Sequence, residues 1–324
     1  MQIQDVFNHY GEDLNRVEEH MQLCLRSDVG LIHEIVNHII GSGGKRFRPL
    51  LLLAASGLCG YSGERRYPMS VVIEFVHTAT LLHDDVIDHA KIRRGKTSAN
   101  NIWGNAASVL VGDFLYSMSF KLMTADGNLN IMKLISATTN SMSEGEVFQL
   151  MKCGDTHITE AEYISIIEKK TSILISAACA VGGILGGAGE TDVEALADFG
   201  MRIGSAFQIT DDTLDYTAKE EEFGKSVGQD FQEGKITLPL IHTLKNCSPA
   251  ERKLIKKTIG KKKLTGENIA DVISLIRKYD GADYALNKAR NYINEGKEFL
   301  RHFRDSEDKT ALLTISDYIL ERRL

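Results

Sequence analysis

Two aspartate clusters with the same spacing are the residues of this sequence best suited to chemistry. The first is Asp84-Asp85-x-x-Asp88 and the second is Asp211-Asp212-x-x-Asp215, and each follows an apolar stretch. On a helix each residue turns by about 100°, so the first and last aspartates of a cluster lie on one face, one turn apart. Carboxylate oxygens in that arrangement suit Mg²⁺, which proteins typically hold with one or two carboxylates and the phosphates of a substrate.

The separation of the clusters along the chain strengthens this interpretation. A single cluster also fits a solvated helix end, but these two lie 211 − 84 = 127 residues apart and are no local repeat. If their helices pack face to face, all the aspartates surround one cavity mouth. Like charges that close repel one another unless cations lie between them. The pair of clusters therefore indicates a metal-dependent site.

Basic residues suited to phosphate accompany the aspartates. The glycine-rich segment 41–44 precedes Lys45-Arg46-Phe47-Arg48-Pro49, and Arg93 and Arg94 follow the first cluster. Glycine lets backbone N–H groups approach an anion, and arginine offers two parallel donors to phosphate oxygens. Taken alone, the first of these segments fits a solvated basic loop equally well. We expect Gly95 to end the first motif helix.

Composition and charge narrow the class of protein. The chain has 324 residues, is 43% hydrophobic and carries a net charge of −6, which argues against nucleic acid as its main partner. Few prolines and long stretches of helical periodicity favour an all-α fold. The five cysteines are scattered without a C-x-x-C pair, and the polar N-terminus does not resemble a signal peptide. We therefore predict a cytoplasmic protein with reduced thiols.

Turn residues divide the predicted helices. We expect two amphipathic helices in residues 1–40 and breaks at 126–128 and 280–282. Residues 159–162 carry an N-cap pattern for a helix that runs to residue 171. The uncharged segment 171–189 barely reaches membrane-span length, and its many small residues predict a buried core helix, with no transmembrane segment in the chain.

Together these motifs resemble the trans-isoprenyl diphosphate synthase (polyprenyl synthetase) family, most closely its bacterial octaprenyl diphosphate synthases. The motifs run in family order over about residues 40 to 240. The resemblance is carried by GGKRFRP at 43–49, LLHDDVIDHAKIRRGKTSAN at 81–100, VGD at 111–113, GE at 145–146, KT at 170–171, FQITDDTLDY at 207–216, GK at 224–225 and GKITLP at 234–239.

The resemblance implies a fold and a set of site residues. The fold would be one all-α domain over residues 1–324, with roughly a dozen helices around a central apolar cavity, in a homodimer. About two or three Mg²⁺ ions per site would be held by Asp84, Asp88, Asp211 and Asp215. Isopentenyl diphosphate would be bound by Lys45, Arg48, His77 and Arg94. The allylic diphosphate would be bound by Arg93, Lys170, Thr171, Gln208, Lys225 and Lys235. The catalytic set would be Asp84, Asp85, Asp88, Arg93, Lys170, Asp211, Asp212 and Lys235.

The residues before the first cluster bear on product length. In the family, short-chain members place bulky aromatic residues at the fourth and fifth positions before the motif, whereas this chain has Thr80 and Ala79 there. Val76 lies one turn further on, and Met123 on the next helix is a candidate floor of the tunnel. An isoprene unit is about as long as one helical turn, and we predict a product of roughly forty carbons. The resemblance implies that such a product serves a quinone side chain.

Other functions remain open at this stage. The product could range from geranylgeranyl to decaprenyl diphosphate, or the chain could be the inactive subunit of a heteromeric synthase, although it keeps every motif aspartate. His83-Asp84 could suggest a metal phosphohydrolase, and a terpene cyclase also ionises allylic diphosphates, but neither uses two matched triple-aspartate motifs. The basic run at 256–263 fits a solvated loop or a weak membrane-surface contact for product release.

Overall fold

The computed structural model describes residues 1–41, 46–217, 228–259 and 266–321, and these residues form an all-α protein. More than a dozen α-helices lie in these ranges, which confirms the predicted fold class. In chain order they are α1 (Ile3–His9), α2 (Gly11–Cys24), α3 (Gly30–Ile40), α4 (Phe47–Leu58), α5 (Arg66–Ile87), α6 (Ala99–Trp103), α7 (Asn105–Asp126), α8 (Leu129–Lys152), α9 (Glu160–Ile167), α10 (Ile173–Leu185), α11 (Glu190–Thr217), α12 (Gln229–Gln232), α13 (Leu238–Asn246), α14 (Pro249–Ile259), α15 (Gly266–Lys278), α16 (Gly281–Phe299) and α17 (Glu307–Glu321).

The N-terminal arm contains three helices, so the prediction of two was wrong. The break that sequence periodicity missed falls at Tyr10, between α1 and α2. Tyr10 is buried, and its hydroxyl donates to Asp308 Oδ1 across 2.5 Å. This anchored aromatic residue separates the two helices although the apolar pattern runs on through it.

The first motif helix ends earlier than predicted. Helix α5 stops at Ile87, and Asp88 is its C-cap. Beyond it, the two-residue strands β1 (Ile92–Arg93) and β2 (Lys96–Thr97) pair antiparallel. Both turn residues, Arg94 and Gly95, have positive φ (49° and 75°), as a type I′ hairpin turn requires. Gly95 therefore serves this turn and does not end the helix.

Helix α9 begins as predicted but does not run unbroken to residue 171. The Thr159 hydroxyl accepts from the Glu162 backbone N–H, and the Glu162 carboxylate accepts from the Thr159 N–H, which is a capping box. A π-helical turn, Glu168–Ser172, then joins α9 to α10. Such turns insert one extra residue and are frequent at functional sites.

The described chain groups into two compact units. The first comprises residues 1–139, 174–200 and 299–315, and the second comprises 140–173, 201–298 and 316–324. Whether they form the single domain expected from the sequence stays a prediction.

The first unit contains most of the small-residue helix α10, whose burial was predicted correctly. At Gly182 a Cβ atom would lie 2.7 Å from the Cβ atom of Ala55, so glycine allows α4 and α10 to approach closely. No helix among the described residues is both long enough and apolar enough to cross a membrane.

Candidate active site

The middle aspartate of the first motif is buried in the first unit. The side chain of Asp85 is 0% exposed, and its Oδ1 accepts from Arg93 Nε across 2.6 Å. Asn100 Nδ2 donates to the Asp85 backbone carbonyl across 2.9 Å, which ties the segment after the hairpin to the helix end. Burial raises the pKa of Asp85, while the adjacent Arg93 guanidinium opposes the shift. Asp85 thus positions Arg93.

The outer aspartates of the first motif sit at the helix terminus. Asp84 and Asp88 are partly exposed and one turn apart, with the Asp88 N–H bonded to the Asp84 carbonyl across 2.8 Å. Burial, and then the negative charge of Asp84, raise the pKa of Tyr116, which places this phenol near the motif. Tyr116 on α7 was not singled out by the sequence.

A cluster of basic residues lies near this motif in the same unit. The Arg48 Nε atom is buried and has no hydrogen-bond partner among the described residues. Burial lowers the pKa of Arg48 to about 10, partly offset by Glu74, and Arg94 lowers it further. A buried, unsatisfied guanidinium donor is costly unless a ligand accepts from it. Arg48 therefore fits an anion-binding role.

His77 lies among these guanidinium groups. Burial lowers its pKa well below the ordinary 6.5, and the charges of Arg48, Arg94, Arg93 and Arg46 lower it further, in that order. The imidazole is therefore neutral at pH 7. The structure thus brings together Arg48, His77 and Arg94, three of the residues predicted to bind isopentenyl diphosphate, whereas Lys45 lies outside the described residues.

Arg46 has a different role from Arg48 although both belong to the same basic segment. Its guanidinium binds Glu18 on α2 and, across 2.9 Å, the buried Glu74 on α5. Arg46 also has positive φ (45°) at the start of α4. These contacts make it a structural bridge between helices.

In the second unit, the middle aspartate of the second motif is also buried. Asp212 is 6% exposed, and its carboxylate accepts from Tyr163 OH across 2.6 Å and from Gln208 Nε2 across 2.7 Å. Thr171 Oγ1 donates to Gln208 Oε1 across 2.9 Å. Burial raises the pKa of Asp212 to about 7, against the two hydrogen bonds that lower it. Thr171 and Gln208, predicted together, do meet here, and Tyr163 joins them.

Lys170 is held by residues of α8. Its Nζ donates to Glu146 Oε1 across 2.5 Å and to Gln149 Oε1 across 2.8 Å. At Gly145 a Cβ atom would lie 2.8 Å from the Lys170 backbone nitrogen, so this glycine lets α8 approach the π-helical turn. This close approach explains why the Gly-Glu motif has glycine at position 145. Of the two partners of Lys170, only Glu146 belongs to a motif quoted from the sequence, the Gly-Glu pair, and Gln149 does not.

Asp215 binds the backbone of the loop that carries Lys235. Its two carboxylate oxygens accept from the N–H groups of Gln229 (3.1 Å) and Asp230 (2.9 Å), at the start of α12. Lys235 Nζ donates to Glu233 Oε2 across 2.7 Å. Asp230, which the sequence did not single out, is partly buried, and this burial raises its pKa well above the ordinary value, with Asp212 and Asp215 adding to the shift.

In the second unit, a small cavity of about 90 Å³ lies among the residues around Lys170 and Asp212. Its polar lining includes Lys170, Thr171, Gln208, Asp212, Asp230 and Lys235. Lys225, predicted to belong to the same site, lies outside the described residues.

The carboxylate groups of the two motifs suit a divalent cation that binds together with a phosphate ligand. Asp84, Asp88 and the exposed Asp211 offer carboxylate oxygens, the ligands that Mg²⁺ prefers. Among the described residues, no three His, Cys, Asp or Glu side chains are grouped closely enough to hold a metal by themselves. Both oxygens of Asp215 already accept backbone hydrogen bonds. That the two motifs share one site stays a prediction.

The predicted chain-length residues occupy buried positions in the first unit. Ala79, Val76 and Met123 are each at most 1% exposed, and Thr80 is partly buried with its hydroxyl bonded to the His77 carbonyl across 2.8 Å. Helices α5 and α7, which carry them, pack along each other. Their role in product length stays a prediction.

Comparisons with known proteins agree with this site. The polyprenyl synthetase family profile matches residues 29–276. An octaprenyl diphosphate synthase from Haemophilus influenzae is 37% identical over 99% of this chain and 98% of that protein. A geranylgeranyl diphosphate synthase from Sulfolobus acidocaldarius is 35% identical over 98% of each.

A similar solved structure is the polyprenyl synthase of Caulobacter crescentus, crystallised with calcium and isoprenyl diphosphate. It has a TM-score of 0.96 and 36% identity, with 100% of this chain and 98% of that chain covered.

Proposed function

The chain belongs to the polyprenyl synthetase family, and from this premise we propose that it synthesises a long-chain trans-polyprenyl diphosphate. It is a prenyltransferase with the isoprenoid synthase fold. We propose that it condenses farnesyl diphosphate with successive isopentenyl diphosphates to a product of roughly forty carbons. The observation that carries the proposal is a neutral His77 within the field of the Arg48 and Arg94 charges, in the unit that contains the first aspartate motif.

The basic cluster of the first unit is proposed to bind isopentenyl diphosphate. Arg48 and Arg94 supply the positive charge, and Lys45 is proposed to add to it. His77, being neutral, contributes one ring N–H as a donor and repels neither guanidinium. The unsatisfied Arg48 Nε is then expected to donate to a diphosphate oxygen.

The allylic diphosphate is proposed to lie against Arg93, Lys170, Thr171, Gln208 and Lys235, together with Lys225. Asp84, Asp88 and Asp211 would hold divalent ions, with Asp215 as a weaker ligand. When bound, such ions neutralise charge on the leaving diphosphate. The calcium in the Caulobacter structure supports a divalent cation, and Mg²⁺ is our choice because it is typically held by one or two carboxylates together with the phosphates of a substrate.

The chemical step needs no nucleophilic side chain. The allylic C–O bond breaks, and its electron pair leaves with the diphosphate, whose growing charge Arg93, Lys170 and Lys235 stabilise. The double bond of isopentenyl diphosphate attacks the allylic cation and forms the new C–C bond. A proton is then lost to the departed diphosphate. Apolar walls are needed because water would capture the cation.

Product length is proposed to be set along α5 and α7. The small side chains of Ala79 and Thr80 leave room for a growing chain, Val76 lines the next turn, and Met123 forms the floor. The similar proteins include both octaprenyl and geranylgeranyl synthases, so a shorter or longer product is the alternative. The inactive-subunit alternative is disfavoured because every motif aspartate is present.

We further propose a homodimer that works in the cytoplasm and supplies a quinone side chain. Support for dimerisation comes from α7, where Leu110 is 66% exposed and Phe120 45% exposed, since burying such side chains stabilises an interface. Substitution of Leu110 by Asp should convert the dimer to monomer in light scattering.

Incorporation of labelled isopentenyl diphosphate into an extractable product tests the activity. Purified protein with farnesyl diphosphate and Mg²⁺ should incorporate label, and Asp84→Ala should lower the rate at least about a hundredfold. The matched control is Asp305→Ala, because the Asp305 side chain is 99% exposed. A wild-type protein without incorporation would favour the inactive-subunit alternative.

A further inference from the structure

A second cavity in the second unit lies outside the proposed diphosphate site. Its volume is about 460 Å³, within the range of small-molecule sites. Helices α9, α13, α14 and α16 contribute to it, together with the segment before α9. None of the residues proposed above for metal or diphosphate binding lines it.

The charge on the cavity wall is unbalanced. Lys245, Arg252 and Lys256 line it, and none of them forms an ion pair with a carboxylate of the described residues. The one carboxylate in the lining, Glu160, already accepts from Lys288 Nζ (2.9 Å) and Tyr284 OH (2.6 Å). In a chain with a net charge of −6, this concentration of positive charge favours an anionic ligand.

Neighbouring groups hold two of these cations in place. Arg252 Nη2 donates to the Leu244 carbonyl across 2.6 Å, which fixes the guanidinium and leaves its other N–H groups for a ligand. Lys256 Nζ lies 3.0 Å from His157 Nε2, within hydrogen-bond distance. Neither partner neutralises the positive charge.

An aromatic pair forms another part of the wall. The rings of His242 and Tyr284 stack with centroids 4.0 Å apart and an interplanar angle of 21°. Ile241 and Leu244, both buried, add apolar surface beside them. A flat aromatic surface next to cations suits a ligand with a planar ring and an anionic group.

We propose that this cavity binds a small phosphate ester with a planar ring, the chemistry of a mononucleotide. The phosphate contacts Arg252, Lys256 and Lys245, and the ring packs against Tyr284 and His242. The site is independent of the proposed condensation reaction, and no prenyl substrate is needed to occupy it.

Isothermal titration calorimetry with two probes tests the proposal on the full chain. Adenosine 5′-monophosphate should bind at least about tenfold more tightly than ribose 5-phosphate, which carries the same phosphate without the ring. Arg252→Ala and Lys256→Ala should each weaken binding of the nucleotide by about tenfold. Tyr284→Leu should make the two probes nearly equal.

Two controls separate this cavity from other sites. Lys297→Ala removes a cation of the same unit that pairs with Asp317 outside the cavity, and it should leave the affinity unchanged. Lys170→Ala tests the diphosphate site and should also leave it unchanged. Loss of nucleotide binding in Lys170→Ala but not in Arg252→Ala, or no binding by the wild type at millimolar concentration, would overturn the proposal. All titrations omit prenyl substrates, so the result is independent of condensation activity.

Discussion

Arg93 Nε donates to the fully buried carboxylate of Asp85 across 2.6 Å, so the middle aspartate of the first motif holds an arginine. The second motif repeats this arrangement, because the buried Asp212 accepts from Tyr163 across 2.6 Å. In each motif the middle carboxylate is buried and accepts a hydrogen bond from another side chain. The outer aspartates are then the ones proposed to face the metal and the diphosphate.

Substitution of Asp85 tests its positioning role. Asp85→Ala leaves Arg93 without its anchor, and we expect kcat to fall by about ten- to a hundredfold. Asp85→Asn, which keeps an acceptor but loses the charge, should lie between Asp85→Ala and the wild type. The KM for isopentenyl diphosphate should change much less, because Arg48 and His77 are untouched. Steady-state kinetics would contradict the role if Asp85→Ala kept the wild-type kcat.

Arg46 and Arg48 should respond differently to the same substitution. Arg46→Ala breaks a buried bridge to Glu74, and the free energy of unfolding should fall by about 3–5 kcal/mol in urea denaturation. Arg48→Ala removes an unsatisfied donor, so stability should hold while the KM for isopentenyl diphosphate rises by about ten- to a hundredfold. An equal loss of stability in both variants would refute this division.

The pKa of His77 predicts a pH-dependent stability. Because burial and neighbouring guanidinium groups lower its pKa well below 6.5, the unfolded chain binds a proton that the folded chain does not. The free energy of unfolding should therefore fall as pH drops below about 6.5. Above that pH the contribution of His77 should be constant. His77→Gln should lose less stability than the wild type between pH 7 and pH 5. If chemical denaturation gives the same loss of unfolding free energy between pH 7 and pH 5 for the wild type and His77→Gln, His77 does not contribute.

Gly145 is expected to matter for the position of Lys170. Gly145→Ala places a Cβ atom 2.8 Å from the Lys170 backbone nitrogen, so the π-helical turn must shift. We expect a loss of about 1–3 kcal/mol in stability and a lower kcat. Gly11→Ala is the control, since a Cβ atom there meets nothing within 4 Å. If both variants behave like the wild type in thermal unfolding and kinetics, the close approach matters for neither stability nor activity.

The tunnel residues predict changes in product length. Ala79→Tyr should stop elongation at about twenty carbons or fewer, because the ring fills the first turn before Asp84. Met123→Ala should extend the product by about one isoprene unit. Met21→Ala, which removes an equally buried methionine from α2, should lower stability without changing the product. Unchanged products from Met123→Ala in mass spectrometry would remove it as the floor.

Local patterns allowed much of the fold and the site to be predicted. The helical class, the buried small-residue helix α10 and the helix start at residues 159–162 follow from periodicity and local composition, which short stretches of sequence encode. The grouping of Arg48, His77 and Arg94 agrees with the resemblance: Arg48 and Arg94 fall in its motifs, and His77 lies one turn before the second of them.

Other features depend on partners distant in the chain. The break at Tyr10 is held by Asp308, 298 residues away. Tyr163 and Asp230 gain their roles only through contact with Asp212 and Asp215, and no spacing rule links them. The separate roles of Arg46 and Arg48 also require the fold, since only the structure brings Glu74 to Arg46.

Product analysis of the wild-type protein tests the central claim most directly. Purified protein is incubated with farnesyl diphosphate, excess isopentenyl diphosphate and Mg²⁺, and the dephosphorylated products are identified by mass spectrometry. The account predicts a dominant prenyl alcohol of about forty carbons, in keeping with the small side chains of Ala79 and Thr80. A product that ends at about twenty carbons would contradict the long-chain assignment while leaving the prenyltransferase activity intact.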